Sequence, residues 1–326
     1  MNAITMKLRK MQVMLNNPRM LWVFFANRGF FDQMDDGLYL RKRFKCLMGK
    51  ELRLDKPITF NEKLQWLKIY DRKPVYNTMV DKYEAKLYVA NIIGEEYIIP
   101  TLGVWNSFDE IEIDELPDRF VLKNTNDSGG IFFVNDKNDF NKDLARKILQ
   151  KGFKRNFYYI GREWPYKDVK SRIIAEEYMS IWDDKKEVFA GQTGINGIVD
   201  YKFYCFKGEP LFLYVSQGLD NHDTARISFV SLKWERLPFY RTDYKEFDKI
   251  PPKPDHFEEM LCISRKLSKG TLFLRVDLYE INNRVFFSEL TFFPCSGYMP
   301  FNDEKYDVAI GDLLKLDIET MNMENI

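Results

Sequence analysis

The residues best suited to chemistry lie in RVDLYEINNRVFFSELT, residues 275 to 291. Arg275 and Asp277 are two positions apart, so a strand sets both on one face. Asn282-Asn283 favours a tight hairpin turn, which folds Glu289 and Thr291 back alongside them. Two carboxylates and an arginine on one sheet face are costly in a core unless something cationic or phosphorylated sits among them. Magnesium carrying a triphosphate meets that need, because it takes one or two protein carboxylates and draws its other ligands from water and phosphate. An Arg–Asp–Glu ion-pair lattice on an exposed face meets it equally well.

A second stretch, FVLKNTNDSGGIFFV at 120 to 134, sets two apolar runs around a polar loop. Lys123 stands just before Asn126, Asp127, Ser128, Gly129 and Gly130. Backbone N–H groups of such a loop can cradle phosphate oxygens while the ammonium neutralises them; a solvated hairpin is the plainer reading. Lys82, in VDKYEAK, begins a helix and is placed for a second phosphate contact or for the solvent. Glu176 and Glu177 end the strand-like IIAEEYM, where a carboxylate and backbone can hold an adenine and a ribose. Asp200 and Lys202 open DYKFYCF as a charged pair. Arg162, Trp164, Tyr166 and Lys167, in GREWPYK, can bind an anionic sugar by pairing and stacking, or simply pack a subdomain.

These groups need elements to carry them. Residues 1 to 56 read as a helical, basic extension. Thr59 and Glu62 form a capping box that starts a helix in TFNEKLQWLKIYDR. A second helix in VDKYEAKLYVANIIG stops at Gly94, and YIIPTLGVW is a short strand. Strands then dominate: RFVLK and IFFV, a helix over 141 to 150, IIAEEYM, a hairpin turned at Lys207-Gly208, and ARISFVSLKWERLPF. Asp255 and Glu258 are placed to cap a helix running to about Lys269, and PPKP at 251 to 254 is a linker. The sum is an α+β or α/β chain rich in antiparallel sheet.

Composition narrows the options. The chain has 326 residues, 45% hydrophobic, enough for two or three subdomains. Basic and acidic residues balance at 49 each, so nothing favours bulk nucleic-acid binding. Cys46, Cys205, Cys262 and Cys295 lack metal-ligand spacing and fit free thiols in a reducing cytoplasm. With His222 and His256 as its only histidines, the chain has no material for histidine triads or multi-histidine zinc sites. The apolar run Met20 to Ala26 is too short to span a bilayer. Arg19, Arg28 and the RKRFK run from Arg41 give it a basic setting, suited to a packed helix or to weak peripheral contact at the inner face of a membrane.

The order of features is more telling than any one of them: DK-helix, strand–Lys–glycine loop, strand ending Glu-Glu, charged strand, then R-x-D…E-x-T…P-x-S-G. It resembles the ATP-grasp superfamily, and more closely the teichuronopeptide-biosynthesis-like (TupA-like) ATP-grasp family of bacterial polysaccharide gene clusters. TFNEKLQWLKIYDR, VDKYEAKLYV, LPDRFVLK, GREWPYK, DYKFYCFKGEP and RVDLYEINNRVFFSELTFFPCSG carry the likeness over roughly residues 57 to 312.

The resemblance implies an ATP-grasp fold divided into a helical extension at 1–56, an N-terminal α/β subdomain at 57–118, a lid at 119–180 and a metal-bearing subdomain at 181–326. It implies ATP and Mg2+, with Lys82, Lys123, residues 126 to 130, Glu176 and Glu177 on the nucleotide. Asp277, Glu289 and Thr291 would hold the metal, Arg275 and Lys202 would act in catalysis, and Arg162, Trp164, Lys167 and Ser296 would meet the substrate. The implied reaction joins a carboxylate to an amine through an acylphosphate, the carboxylate being a uronic acid of a polysaccharide or its precursor. A glycosyltransferase, a sugar or lipid-carrier kinase and a non-catalytic scaffold are the alternatives; no D-x-D or G-x-G-x-x-G supports the first. Two positions depart from the pattern: Thr291 stands where the superfamily has a metal-binding asparagine, and Asn126 where histidine is expected.

Overall fold

The computed structural model describes residues 18–127, 129–183, 186–189, 198–219 and 222–316. Two helices, α1 (Pro18–Ala26) and α2 (Asp36–Met48), open it. Asp35 caps α2 by accepting from the Leu38 N–H, and Gly49, in the left-handed region, ends it. The capping box of Thr59 and Glu62 is formed, and it starts α3 (Phe60–Tyr70). Next come α4 (Val75–Val80) and α5 (Glu84–Ile93), which stops at Gly94. Lys82 lies in the turn before α5, not in the helix, because Asp81 accepts from the Tyr83 and Glu84 N–H groups and sets the start two residues later.

The lid sheet contains β1 (Thr101–Trp105), β2 (Phe120–Asn124), β3 (Ile131–Val134) and β4 (Ile173–Glu177) in the order β1-β4-β2-β3, all antiparallel. Between β3 and β4 run α6 (Lys142–Lys154), capped by Asn141, and the short α7 (Tyr158–Gly161). Phe120, Leu122, Ile173 and Ala175 face Ala145 and Leu149 of α6 in a core of their own. Alternation turns Val121, Lys123, Ile174 and Glu176 to the opposite face. Pairing of β1 with β4 puts residues 101–105 in the same sheet as β2 and β3. That partnership joins residues about 70 positions apart, which a strand's own periodicity does not encode.

Hairpin β5 (Ser180–Asp183) and β6 (Lys186–Phe189) leads to the main sheet. Its strands are β7 (Asp200–Phe206), β8 (Glu209–Gln217), β9 (Arg226–Ser231), β10 (Phe273–Ile281) and β11 (Arg284–Thr291), in the antiparallel order β11-β10-β7-β8-β9. Lys207-Gly208 and Asn282-Asn283 turn the two hairpins with positive φ at all four positions.

One face of this sheet packs on α8 (Phe257–Ser268), through contacts such as Phe203 with Phe257. The N-terminus of α8 has no side-chain cap, contrary to the expected role of Asp255 and Glu258. Pro254 O takes the Phe257 N–H and the Glu280 carboxylate takes the His256 N–H instead.

The other face is graded. Phe206, Tyr204 and Phe273 at one end pack on Phe60 of α3, with aromatic pairs worth about 0.5–1.5 kcal/mol each beyond area burial. Lys202, Arg275 and Asp277 continue the same face at the other end. Residues of α1 to α5 share one hydrophobic core with β7 to β11 and with α9 (Glu304–Leu313), so the described part of the extension, from Pro18 on, is a packed layer of the main body. Among the described residues no helix is long and apolar enough to cross a membrane.

Candidate active site

Register builds the first half of the site. Asp277 lies opposite Glu289 on one side and Lys202 on the other, and Lys202 lies opposite Tyr214. The neighbouring row runs Thr291, Arg275, Tyr204. Arg275 meets Asp277 through two parallel hydrogen bonds, Nε to Oδ1 at 2.7 Å and Nη2 to Oδ2 at 2.6 Å. Its Nη2 also donates to Glu289 Oε1 at 2.8 Å and Thr291 Oγ1 at 2.9 Å. Lys202 Nζ donates to Asp277 Oδ2 at 2.7 Å and lies 3.4 Å from Asp200.

Burial opposes ionisation of Asp277, but Arg275 and Lys202 outweigh it and hold the carboxyl below its usual range. Burial likewise opposes charge on Lys202 and Arg275, and their carboxylates raise both well above normal. The cation that the carboxylates need is therefore supplied first by the protein itself.

This bears on metal binding. Asp277 is fully enclosed with both oxygens engaged, so it does not present a ligand position in this arrangement. Its side chain was expected to share the coordination. Glu289, with its side chain 46% exposed, and the adjacent Thr291 hydroxyl fit a magnesium ion that takes few protein ligands. Among the described residues no group of three or more His, Cys, Asp or Glu could hold a metal unaided.

The second half joins the four-stranded sheet to α5. Glu176 binds Lys86 at 2.7 Å through one oxygen and Lys123 through the other. Burial would raise its carboxyl, yet the two lysines bring it down to about 2. Glu176 was expected at the adenine; the structure makes it a bridge between two ammonium groups. Lys86 was not foreseen. The available signal was its place on the buried stripe of α5, with Ala85 and Val89. Glu177 stands exposed at the end of β4, with its N–H bonded to Pro100 O.

The glycine loop is largely self-tied. Asp127 accepts from the Gly130 N–H and from Asn124 Nδ2. Lys82 Nζ donates to Asn124 O at 3.0 Å and to Asp127 O. Asn126 is buried and donates to Gly152 O and Ser171 Oγ, so it anchors the loop on α6 instead of reaching toward a phosphate. Lys123 and Gly129 remain open to a ligand; Ser128 lies outside the described residues. Lys82, Tyr166 and Glu289 line one narrow cleft of about 20 Å³, and Lys82 ties that cleft to the glycine loop through Asn124 O and Asp127 O. That is room for about one water.

The expected substrate residues divide. Arg162 is buried, its guanidinium donating to Phe31 O, Asp32 O and Met34 O, which gives it a packing task. Trp164 is half-buried against the main core, and Ser296 Oγ turns inward to Lys68. Lys167 is exposed.

The sequence of residues 62–315 matches the TupA-like ATPgrasp family. The chain belongs to that family. Membership fixes the fold as ATP-grasp and the class as an ATP-dependent ligase. No curated protein matches the chain. Among solved structures it is similar to D-alanine–D-alanine ligase from Helicobacter pylori, at 17% identity and TM-score 0.36, covering 78% of this chain and 69% of that one. It is similar to the Bacillus anthracis D-alanine–D-alanine ligase complexed with ATP, at 16% identity and TM-score 0.39, covering 75% and 66%. The ATP-grasp ligase PsnB, complexed with a precursor variant, Mg and ADP, gives 9% identity and TM-score 0.40, covering 78% and 65%. The family match carries the assignment.

Proposed function

We propose that this chain uses Mg-ATP to activate a carboxylate as an acylphosphate and joins it to an amine, the carboxylate being a uronic acid of a bacterial capsular or exopolysaccharide, or of its precursor. The single observation that carries the reading is the meeting of Lys82 in one cleft with Glu289, itself bonded to Arg275 next to Thr291, beside the Lys86–Glu176–Lys123 bridge. Such a site has cations for a triphosphate and one open carboxylate for its metal. The setting of the family in polysaccharide gene clusters supports the saccharide, and an amino acid is the proposed amine.

In this scheme a carboxylate oxygen attacks the γ-phosphorus, and ADP leaves with the electrons of the broken P–O bond. The amine nitrogen then attacks the acyl carbon, phosphate departs, and the nitrogen gives up a proton. Little covalent work falls to the protein; it positions and neutralises. Arg275 is placed to meet the transferring phosphoryl group, and Lys202 keeps Asp277 ionised behind it. Lys123 from β2 and Lys86 from α5 carry the phosphate charge, and Glu176 keeps them spaced. A magnesium ion, held by Glu289 and Thr291, would neutralise the β- and γ-phosphate oxygens. Lid closure excludes water from the acylphosphate. The exposed Phe30 and Leu38, near the basic N-terminal helices, suit a weak contact with a membrane surface.

The test is trapping with hydroxylamine. Wild-type protein with Mg-ATP, a panel of uronates and hydroxylamine should form a hydroxamate and ADP together, and Lys123→Ala should weaken Mg-ATP binding. A phosphorylated sugar without hydroxamate would make the enzyme a kinase. Absence of any nucleotide-dependent thermal shift would sustain the scaffold alternative.

A further inference from the structure

Directly after Thr291 the chain makes an unusual turn. Cys295, Ser296 and Gly297 all have positive φ, at 52°, 52° and 68°. Two consecutive non-glycine residues in the left-handed region hold that shape only when their surroundings enforce it. The enforcement comes from α3. Gln65 Nε2 donates to Ser296 O at 3.1 Å and to Gly297 O at 2.7 Å. Lys68 Nζ donates to Ser296 O at 2.8 Å, Gly161 O at 2.8 Å and Gln65 Oε1 at 2.9 Å, which uses the three donors of an ammonium. Ser296 Oγ is 3.2 Å from the same nitrogen and hydrogen-bonded to Glu163. Gln65 and Lys68 are fully buried, and Glu163 nearly so.

The fit is close on both sides. A Cβ on Gly297 would collide with Gln65 Nε2 and lie 3.0 Å from Leu64 Cβ, and one on Gly161 would collide with Ser296 Oγ. Burying a lysine without a task is expensive. Burial brings the Lys68 pKa down to about 7, and Glu163 offsets part of that fall. The same turn carries Cys295, whose thiol feels the charges of Arg241 and Arg275.

We infer that Gln65 and Lys68 are positioning residues for the ligase reaction: from a helix that itself makes no contact with Arg275, Asp277, Glu289 or Thr291 through these two side chains, they fix the left-handed turn that follows β11 just past Thr291. The role in turnover rests on the ligase reading above; the role in shaping the turn does not.

Two variants and two readouts separate these. Lys68→Met removes the amine, and Gln65→Met removes the amide and leaves Lys68 with its bonds to Ser296 O and Gly161 O, so a folded variant is available if the first does not fold. Peptide-resolved alkylation with N-ethylmaleimide should label Cys295 at least tenfold faster in Gln65→Met. Cys262, exposed, should react equally in both proteins, and Cys205, fully buried, in neither. An unchanged Cys295 rate, or a parallel rise at Cys205, overturns the proposal, because the first means that the turn holds without α3 and the second means global loosening. For turnover, Gln65→Met should keep Mg-ATP affinity within about twofold while kcat for hydroxamate formation from ATP, glucuronate or galacturonate, and hydroxylamine falls about tenfold or more. Faster Cys295 labelling with unchanged kcat would overturn the part played in catalysis. If wild-type protein forms no hydroxamate, the ligase reading fails, and the labelling result still decides whether α3 shapes the turn.

Discussion

Arg275 and Asp277 form a two-point ion pair within a single strand, both side chains almost completely enclosed. Asp277→Asn would leave Arg275 and Lys202 buried with their main counter-charge gone. Breaking a buried pair from one side costs roughly 3–5 kcal/mol. The expected outcome is a large drop in the urea midpoint followed by far-ultraviolet circular dichroism. An unchanged midpoint would mean that water or Asp200 replaces the lost charge without cost. Loss of activity in this variant would therefore say little about metal.

Glu289→Gln is the cleaner probe. Glu289 is about half exposed and shares Arg275 with Asp277, so its removal should change stability by less than about 1 kcal/mol. The magnesium concentration that supports half-maximal ADP formation should rise at least tenfold. An unaltered magnesium requirement in the folded variant would remove Glu289 from the metal.

Local structure was legible at several places where the deciding residues are neighbours in sequence, though the start of α5, set by Asp81, was placed two residues early. Thr59 with Glu62, Lys207-Gly208 and Asn282-Asn283 specify their cap and turns within a few positions, but the last of these pairs the hairpin only as far as Leu278 with Phe287, and a register shift beyond it is what opposes Asp277 to Glu289. The candidate site was legible as a set of residues but not as a set of partners. Lys123 was read as meeting a ligand, yet its nearest charge is Glu176, 53 positions on, and that pairing exists only because β2 and β4 are adjacent. Asn126 and Arg162 sit among residues that look chemical, and both turn inward to carbonyls supplied by other elements. Lys68 reads as an ordinary amphipathic-helix lysine; its carbonyl partners at Gly161 and Ser296 lie 93 and 228 positions away. Polar groups that serve a ligand and polar groups that satisfy buried backbone use the same residue types, and only the tertiary fold tells them apart.

Acid titration isolates the lid bridge. The Glu176 carboxyl falls from an ordinary 4.5 to about 2 in the folded protein. A depressed folded pKa gives stability that is present above the unfolded pKa and lost as pH falls toward the folded one. The stabilisation from Glu176, roughly 3 kcal/mol at neutral pH, should thus disappear between about pH 4.5 and pH 2. In thermal melts, the gap between wild type and Glu176→Gln should narrow steadily over that window. A gap independent of pH would mean that Glu176 is not the counter-ion of Lys86 and Lys123.

Gly152 offers a prediction of sign. In an exposed helix interior, Gly→Ala gains about 1 kcal/mol of stability from helix propensity. Gly152 of α6 faces the glycine loop: a Cβ there would lie 2.7 Å from Asp127 Oδ2 and closer still to Asn124 Nδ2. Asn124 is not free to move aside, because Nδ2 donates to both Leu149 O and Asp127 Oδ2 at 2.9 Å. Gly152→Ala must then dislodge the carboxylate that holds the Gly130 N–H, and with it the loop beside Lys123. The melting temperature should fall instead of rising, and Mg-ADP affinity by titration calorimetry should weaken with it. A stabilised variant with unchanged Mg-ADP affinity would show that the loop keeps its shape without Asn124, and the anchoring of the loop on α6 would have no part in nucleotide binding.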